Sequence, residues 1–139
     1  MQSHPFSTQV VLYAGDGVVL GLVTLVGFAT HGELTSAGFR LLTTFIPLVI
    51  AWALIGPWLG VFNSRNILAV HEIWRPVLAM FLAAPMAAWL RGVWLDAPID
   101  PVFVSVIGAV SAAGLLIWRG IYLIVTRVAR QPQERGSNG

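Results

Sequence analysis

Asp16 and Arg119 are the side chains hardest to place in an apolar medium, and their positions match. Asp16 lies six residues after Val10, where a long apolar run begins, and Arg119 lies six residues before Val125, near the end of another. At ~1.5 Å of rise per helical residue, both sit ~9 Å inside the same boundary. A carboxylate and a guanidinium at one depth in lipid are expected to pair. Either alone is a costly intramembrane charge, and the planar guanidinium fork suits a carboxylate in bidentate fashion. Such a pair has two readings: it fixes the packing of two helices, or it takes part in moving protons or ions.

The second polar constellation is "GFATHGELTSAG", residues 27–38, which brings His31 and Glu33 just past the end of the first apolar run. Their types suit acid–base chemistry, and a neutral imidazole also suits a haem or pigment metal. The plainer reading is a polar turn, with Gly32 supplying backbone freedom. Arg91 lies near the end of the third apolar run, so Glu33 or His31 is expected to meet it at that face. Alternatively Arg91 and Arg119 snorkel to an interface.

Absences narrow the chemistry. There is no cysteine, hence no disulfide, thiolate metal site, iron–sulfur cluster or covalent haem attachment. The histidines are His4, His31 and His71, none of them in mid-run. "HEIWR" lacks the second histidine of a metalloprotease motif, and neither a GxSxG elbow nor a phosphate-cradling glycine loop with lysine occurs. The expectation is no catalytic residue set, no metal and no cofactor, and therefore no enzyme.

The elements that position these residues follow from composition. Hydrophobic residues make up 57% and charged ones 10%, against roughly 45–50% and about 25% in soluble domains. Four runs, about 10–29, 41–61, 76–95 and 102–126, reach the ~20 residues needed to cross ~30 Å of hydrocarbon. No positive charge precedes the first and three more runs follow it, so it is not read as a cleaved signal peptide. Backbone groups in lipid must be satisfied within their own segment, which predicts helices. The fold class is therefore all-α: residues 1–126 as a single four-helix transmembrane domain and residues 127–139 as a polar, basic and mobile cytoplasmic tail.

Finer features complete this reading. Every basic residue is an arginine; with the N-terminus inside, Arg65, Arg75, Arg127, Arg130 and Arg135 fall on the cytoplasmic side against Arg40 and Arg91 outside. That excess predicts an N-in, C-in topology in the cytoplasmic membrane. The basic balance then points to anionic lipid and not to nucleic acid. Pro76 and Pro101 mark helix starts, and Asp100 a cap. Pro47, Pro57 and Pro85 are hinges or ordinary membrane-helix prolines. Gly17 with Gly21, and Gly56 with Gly60, form GxxxG pairs read mainly as internal packing, Gly17 and Gly21 letting the first and fourth helices approach. "NSRNILAVHEIWR" reads as an interfacial connection, either a wet turn or a docking surface.

These same residues carry a resemblance. "GDGVVLGLVTLVGFATHGEL" with Asp16, His31 and Glu33, "TTFIPLVIAWALIG" with Pro47 and Trp52, "WLRG" with Arg91 and "IWRG" with Trp118 and Arg119 resemble the bacterial and archaeal family numbered three-zero-five-four among the domains of unknown function. The third-span stretch "AMFLAAPMAAW" departs from the glycine-containing span of that family. The resemblance implies a small integral membrane protein of about four helices, with no established activity. Three functions stay open: a non-catalytic accessory or assembly subunit of a larger membrane complex, a small oligomeric transporter or channel using Asp16 and Arg119, and an enzyme using His31 and Glu33. The expected partners are the lipid bilayer and further membrane subunits or copies of this chain.

Overall fold

In a computed structural model, which describes residues 5–30, 32, 38–63 and 70–136, the chain forms four long helices. They are α1 (Pro5–Thr30), α2 (Gly38–Trp58), α3 (Trp74–Leu95) and α4 (Pro101–Gly136), with a single 3-10 turn at Val70–Glu72 before α3. No strand occurs among the described residues. Each helix is long and apolar enough to cross a membrane, so the protein is an all-α, multi-pass membrane protein. α4 continues as helix to Gly136, where the polar composition after Thr126 predicts a mobile tail. Its first helical turns are already formed, and adding a residue to a growing helix costs far less than nucleating one.

Helix ends form where their chemistry predicts. Pro101 opens α4, and Asp100 Oδ1 accepts hydrogen bonds from the backbone N–H of Val102 (2.9 Å) and Phe103 (3.4 Å). α3 ends with Asp96 in the left-handed region (φ 49°), and Ala97 N–H donates to Gly92 O at 3.1 Å. α2 ends similarly: Gly60 takes φ 66° and Val61 N–H donates to Gly56 O at 3.0 Å. A side chain at Gly60 would be strained, so this glycine serves the turn and not a helix-packing motif. α2 runs through Pro47 and Pro57, and α3 through Pro85, so these prolines do not break their helices.

The helices pack as a closed ring, α1 against α2, α2 against α3, α3 against α4 and α4 against α1. The buried positions recur every four residues: Leu12, Asp16, Leu20 and Thr24 on α1, Leu48, Trp52 and Gly56 on α2, and Ser111, Leu115, Arg119 and Leu123 on α4. Such rows form one ridge of a helix, and four ridges meeting make the core. α3 contributes small residues, Ala79, Ala83, Ala84, Ala87 and Ala88. A Cβ at Gly108 would stand 3.0 Å from the Ala84 Cβ, so α3 and α4 approach closely there. The outer surface carries large apolar side chains such as Phe81 (75% exposed) and Ile117 (65%), while Asp16, Thr24, Thr43, Ser111 and Arg119 are buried. This apolar exterior around a partly polar interior suits lipid as the solvent.

The α1–α4 contact uses different glycines from those expected. A Cβ at Gly17 would meet nothing within 4 Å, and one at Gly21 would touch Phe45 of α2 at 3.6 Å. The close approach is made by Gly15, which lies beneath the Trp118 ring, and by Gly114, which lies against Val19 and Val23. The inward row of α1 passes through Asp16, and Gly15 and Val19 flank it on the α4 side; Gly17 is turned away from α4.

Candidate functional site: a buried polar centre

The predicted pair forms. Arg119 Nη2–H donates to Asp16 Oδ2 at 2.7 Å, joining α4 to α1 across the bundle interior. Asp16 is 0% and Arg119 6% exposed, which takes both charges out of lipid. The contact is not the bidentate fork expected, because the second guanidinium nitrogen is used elsewhere. Arg119 Nη1–H donates to Val61 O at 2.8 Å. Trp52 Nε1–H donates to Asp16 Oδ2 at 3.2 Å, so one carboxylate oxygen receives two donors. Asp16 Oδ1, Arg119 Nε and Trp118 Nε1 are buried and have no hydrogen-bond partner among the described residues.

Phe62 closes the centre. The left-handed turn at Gly60 folds the chain back, so Val61 and Phe62 become buried immediately after α2 ends. The Phe62 ring stacks on Tyr13 (centroids 3.7 Å, 13°), meets Trp52 edge-on (6.0 Å, 78°) and lies 5.5 Å from the Arg119 guanidinium carbon. Gly56 leaves room for it, since a Cβ there would fall 2.5 Å from the ring. Gln9 Nε2–H donates to Phe62 O at 3.3 Å. Three helices and one turn thus converge on two charges that neutralise each other, flanked by an aromatic wall.

The other polar positions lie elsewhere. His31 and Glu33 fall outside the described residues, as does their expected contact with Arg91. Arg91 lies at the opposite end of the bundle from Asp16, its guanidinium 5.3 Å from the Phe103 ring of α4. It lines a recess of about 650 Å³ together with Arg40 at the start of α2. Of the connection "NSRNILAVHEIWR", residues 64–69 are outside the described set. In the remainder Arg75 donates from Nε to Glu72 and from Nη1 to Leu59 O (2.8 Å), fastening the start of α3 to the end of α2. Among the described residues, no three His, Cys, Asp or Glu side chains gather as a metal-binding group.

Sequence reasoning from depth finds Asp16 and Arg119 but misses Trp52 as a donor and Val61 and Phe62 as neighbours. The four-residue row of buried positions on α2 carries a signal for Trp52. Nothing in the local sequence marks the Val61 carbonyl, whose place depends on the turn at Gly60.

The fold and this centre define a small four-helix membrane protein with an ion pair enclosed within its bundle. The chain belongs to the family described as "Protein of unknown function (DUF3054)", which matches residues 13–122 of its 139. That match covers Asp16, Trp52, the turn at Gly60, Arg91 and Arg119. No curated protein and no solved structure matches the chain.

Proposed function

We propose that this protein is a non-catalytic accessory or assembly subunit of a larger complex in the cytoplasmic membrane of a bacterial cell, with both termini inside. The observation that carries this reading is the enclosure of the polar centre: Asp16 and Arg119, 0% and 6% exposed, pair with each other and bond to Trp52 and the Val61 carbonyl inside the bundle. A transporter using these charges needs a polar path that reaches them, whereas the aromatic ring of Phe62 covers the guanidinium here. Gly17, a small residue of α1 with open space beside it, supports association with a further helix. Purification of the full chain from its native membrane in mild detergent tests this reading. A stoichiometric assembly with other membrane proteins is the expected result. Isolation as a self-oligomer that carries ions or protons into proteoliposomes, with the flux lost in Asp16→Asn, overturns it in favour of a transporter.

A further inference from the structure

The tryptophans divide by the way they face. Trp52 bonds to Asp16 and Trp118 covers Gly15, whereas Trp58, Trp74, Trp89 and Trp94 are exposed on the outer surface. Trp58 is the last residue of α2 and 92% exposed, and Trp74 is the first residue of α3. Arg75 joins those two ends through its hydrogen bond to Leu59 O, so both rings belong to one end of the bundle. At the opposite end the Trp94 ring meets the Phe39 ring edge-on (centroids 6.1 Å, 83°), which sets the start of α2 level with the end of α3. Phe39 and Trp58 are 19 residues apart, and Trp74 and Trp94 are 20 apart. At ~1.5 Å per residue these separations are ~29 Å and ~30 Å, so two neighbouring helices carry outward aromatic rings at the same two levels. A third count agrees: Trp52 reaches Asp16, and Trp58 lies six residues further along α2, so the ion pair sits ~9 Å inside the first level. Charged side chains flank both levels, Glu72 and Arg75 at one and Arg40 and Asp96 at the other. Away from these levels α2 and α3 carry a single charge, Arg91, three residues short of Trp94.

A separation of ~30 Å equals the hydrocarbon thickness of a bilayer, and indole rings favour its two faces because the ring is apolar while the N–H seeks an acceptor. We propose that Trp58 and Trp74 in one leaflet, and Trp94 with Phe39 in the other, anchor the bundle at the ester-carbonyl layers of a bilayer of ~30 Å hydrocarbon thickness. Lipid ester carbonyls accept from the indole N–H groups, and Arg75, its guanidinium carbon 5.3 Å from the Trp74 ring, stands level with the headgroups. Two levels shared by adjacent helices hold the bundle axis close to the membrane normal, since tilt would draw one ring of each pair into hydrocarbon. With the faces so fixed, α4 leaves the hydrocarbon near Val125 and stays helical to Gly136, ~16 Å further out. Trp89, five residues before Trp94, lies ~7 Å deeper with its ring toward the acyl chains. The anchoring is independent of whether the protein serves as a subunit, since it involves neither Asp16 nor Arg119.

Tryptophan fluorescence of the full chain in phosphatidylcholine bilayers tests the proposal, with bromine quenchers carried either near the head end of the acyl chains or at the chain ends. Subtracting the emission of Trp58→Phe, Trp74→Phe, Trp89→Phe or Trp94→Phe from that of the unsubstituted protein isolates the contribution of each removed ring. All four rings face outward and phenylalanine keeps an aromatic side chain in place, so the core is untouched. The contributions of Trp58, Trp74 and Trp94 are expected to lose more emission to head-end bromine than to chain-end bromine. That of Trp89 is expected to shift toward the chain-end quencher, so the four rings separate into two depths. Stronger chain-end quenching of Trp58, Trp74 or Trp94 overturns the proposal. A Trp89 profile identical to that of Trp94 overturns it too, because the ~7 Å offset is then absent. So does a lack of quenching of any of the three by both lipids, which places that ring against protein or in water.

Discussion

At the scale of single residues, the energetic weight of the molecule falls on Asp16. Removing one member of a buried pair leaves the other charge uncompensated in an apolar interior, at a cost of about 3–5 kcal/mol. Asp16→Asn is therefore expected to lower the thermal stability in detergent markedly, because Arg119 loses its counter-charge and keeps only neutral acceptors such as the Val61 carbonyl. Arg119→Gln added to Asp16→Asn is expected to recover part of the loss, since a neutral amide pair can share a hydrogen bond without a stranded charge. Trp52→Phe keeps the ring and deletes one donor to Asp16, with an expected loss of about 1–3 kcal/mol. A thermal melt of the four proteins checks this order; a double variant no more stable than Asp16→Asn would sink the account of the pair.

Helix packing depends on which face a small residue occupies, and two glycines of α1 separate the cases. A Cβ at Gly15 would lie 2.1 Å from the Trp118 ring, so Gly15→Ala must push α4 away or turn Trp118 out of its place. Overpacking of this kind costs about 1–3 kcal/mol. Gly17→Ala meets open space and gains up to about 1 kcal/mol of helix propensity, so the isolated protein should be unharmed or slightly stabilised. The two variants, two positions apart on one helix, are thus expected to move the melting temperature in opposite directions. Equal destabilisation would show that the α1–α4 contact is not centred on Gly15.

For the whole molecule, the proposed N-in, C-in arrangement puts the end of α4 inside and the Ala97–Asp100 connection outside. The chain contains no cysteine, so single introduced thiols report on sidedness without background. A membrane-impermeant maleimide added to intact cells is expected to label Ala97→Cys and to leave Ser137→Cys unlabelled until the cells are opened. The reverse pattern would invert the topology and move the Arg40–Arg91 recess to the cytoplasmic leaflet.

How much of this was legible beforehand depends on the range of the physics involved. Four spans, their approximate limits and the shared depth of Asp16 and Arg119 follow from the local sequence. Lipid thickness imposes a length, the helix imposes a rise per residue, and an isolated charge in hydrocarbon demands a partner. The i, i+4 rows through Leu12, Asp16 and Leu20 and through Leu115, Arg119 and Leu123 even point both side chains the same way, into the bundle. What composition and spacing do not encode is which helix neighbours which, and so which glycine is approached. Only the folded bundle selects Gly15 over Gly17, brings the Val61 carbonyl and the Phe62 ring back over the ion pair, and puts Arg40 and Arg91 in the lining of one recess. Those contacts join residues distant in the chain, and their geometry is decided by how four ridges interlock, a property of the assembled helices and not of any one of them.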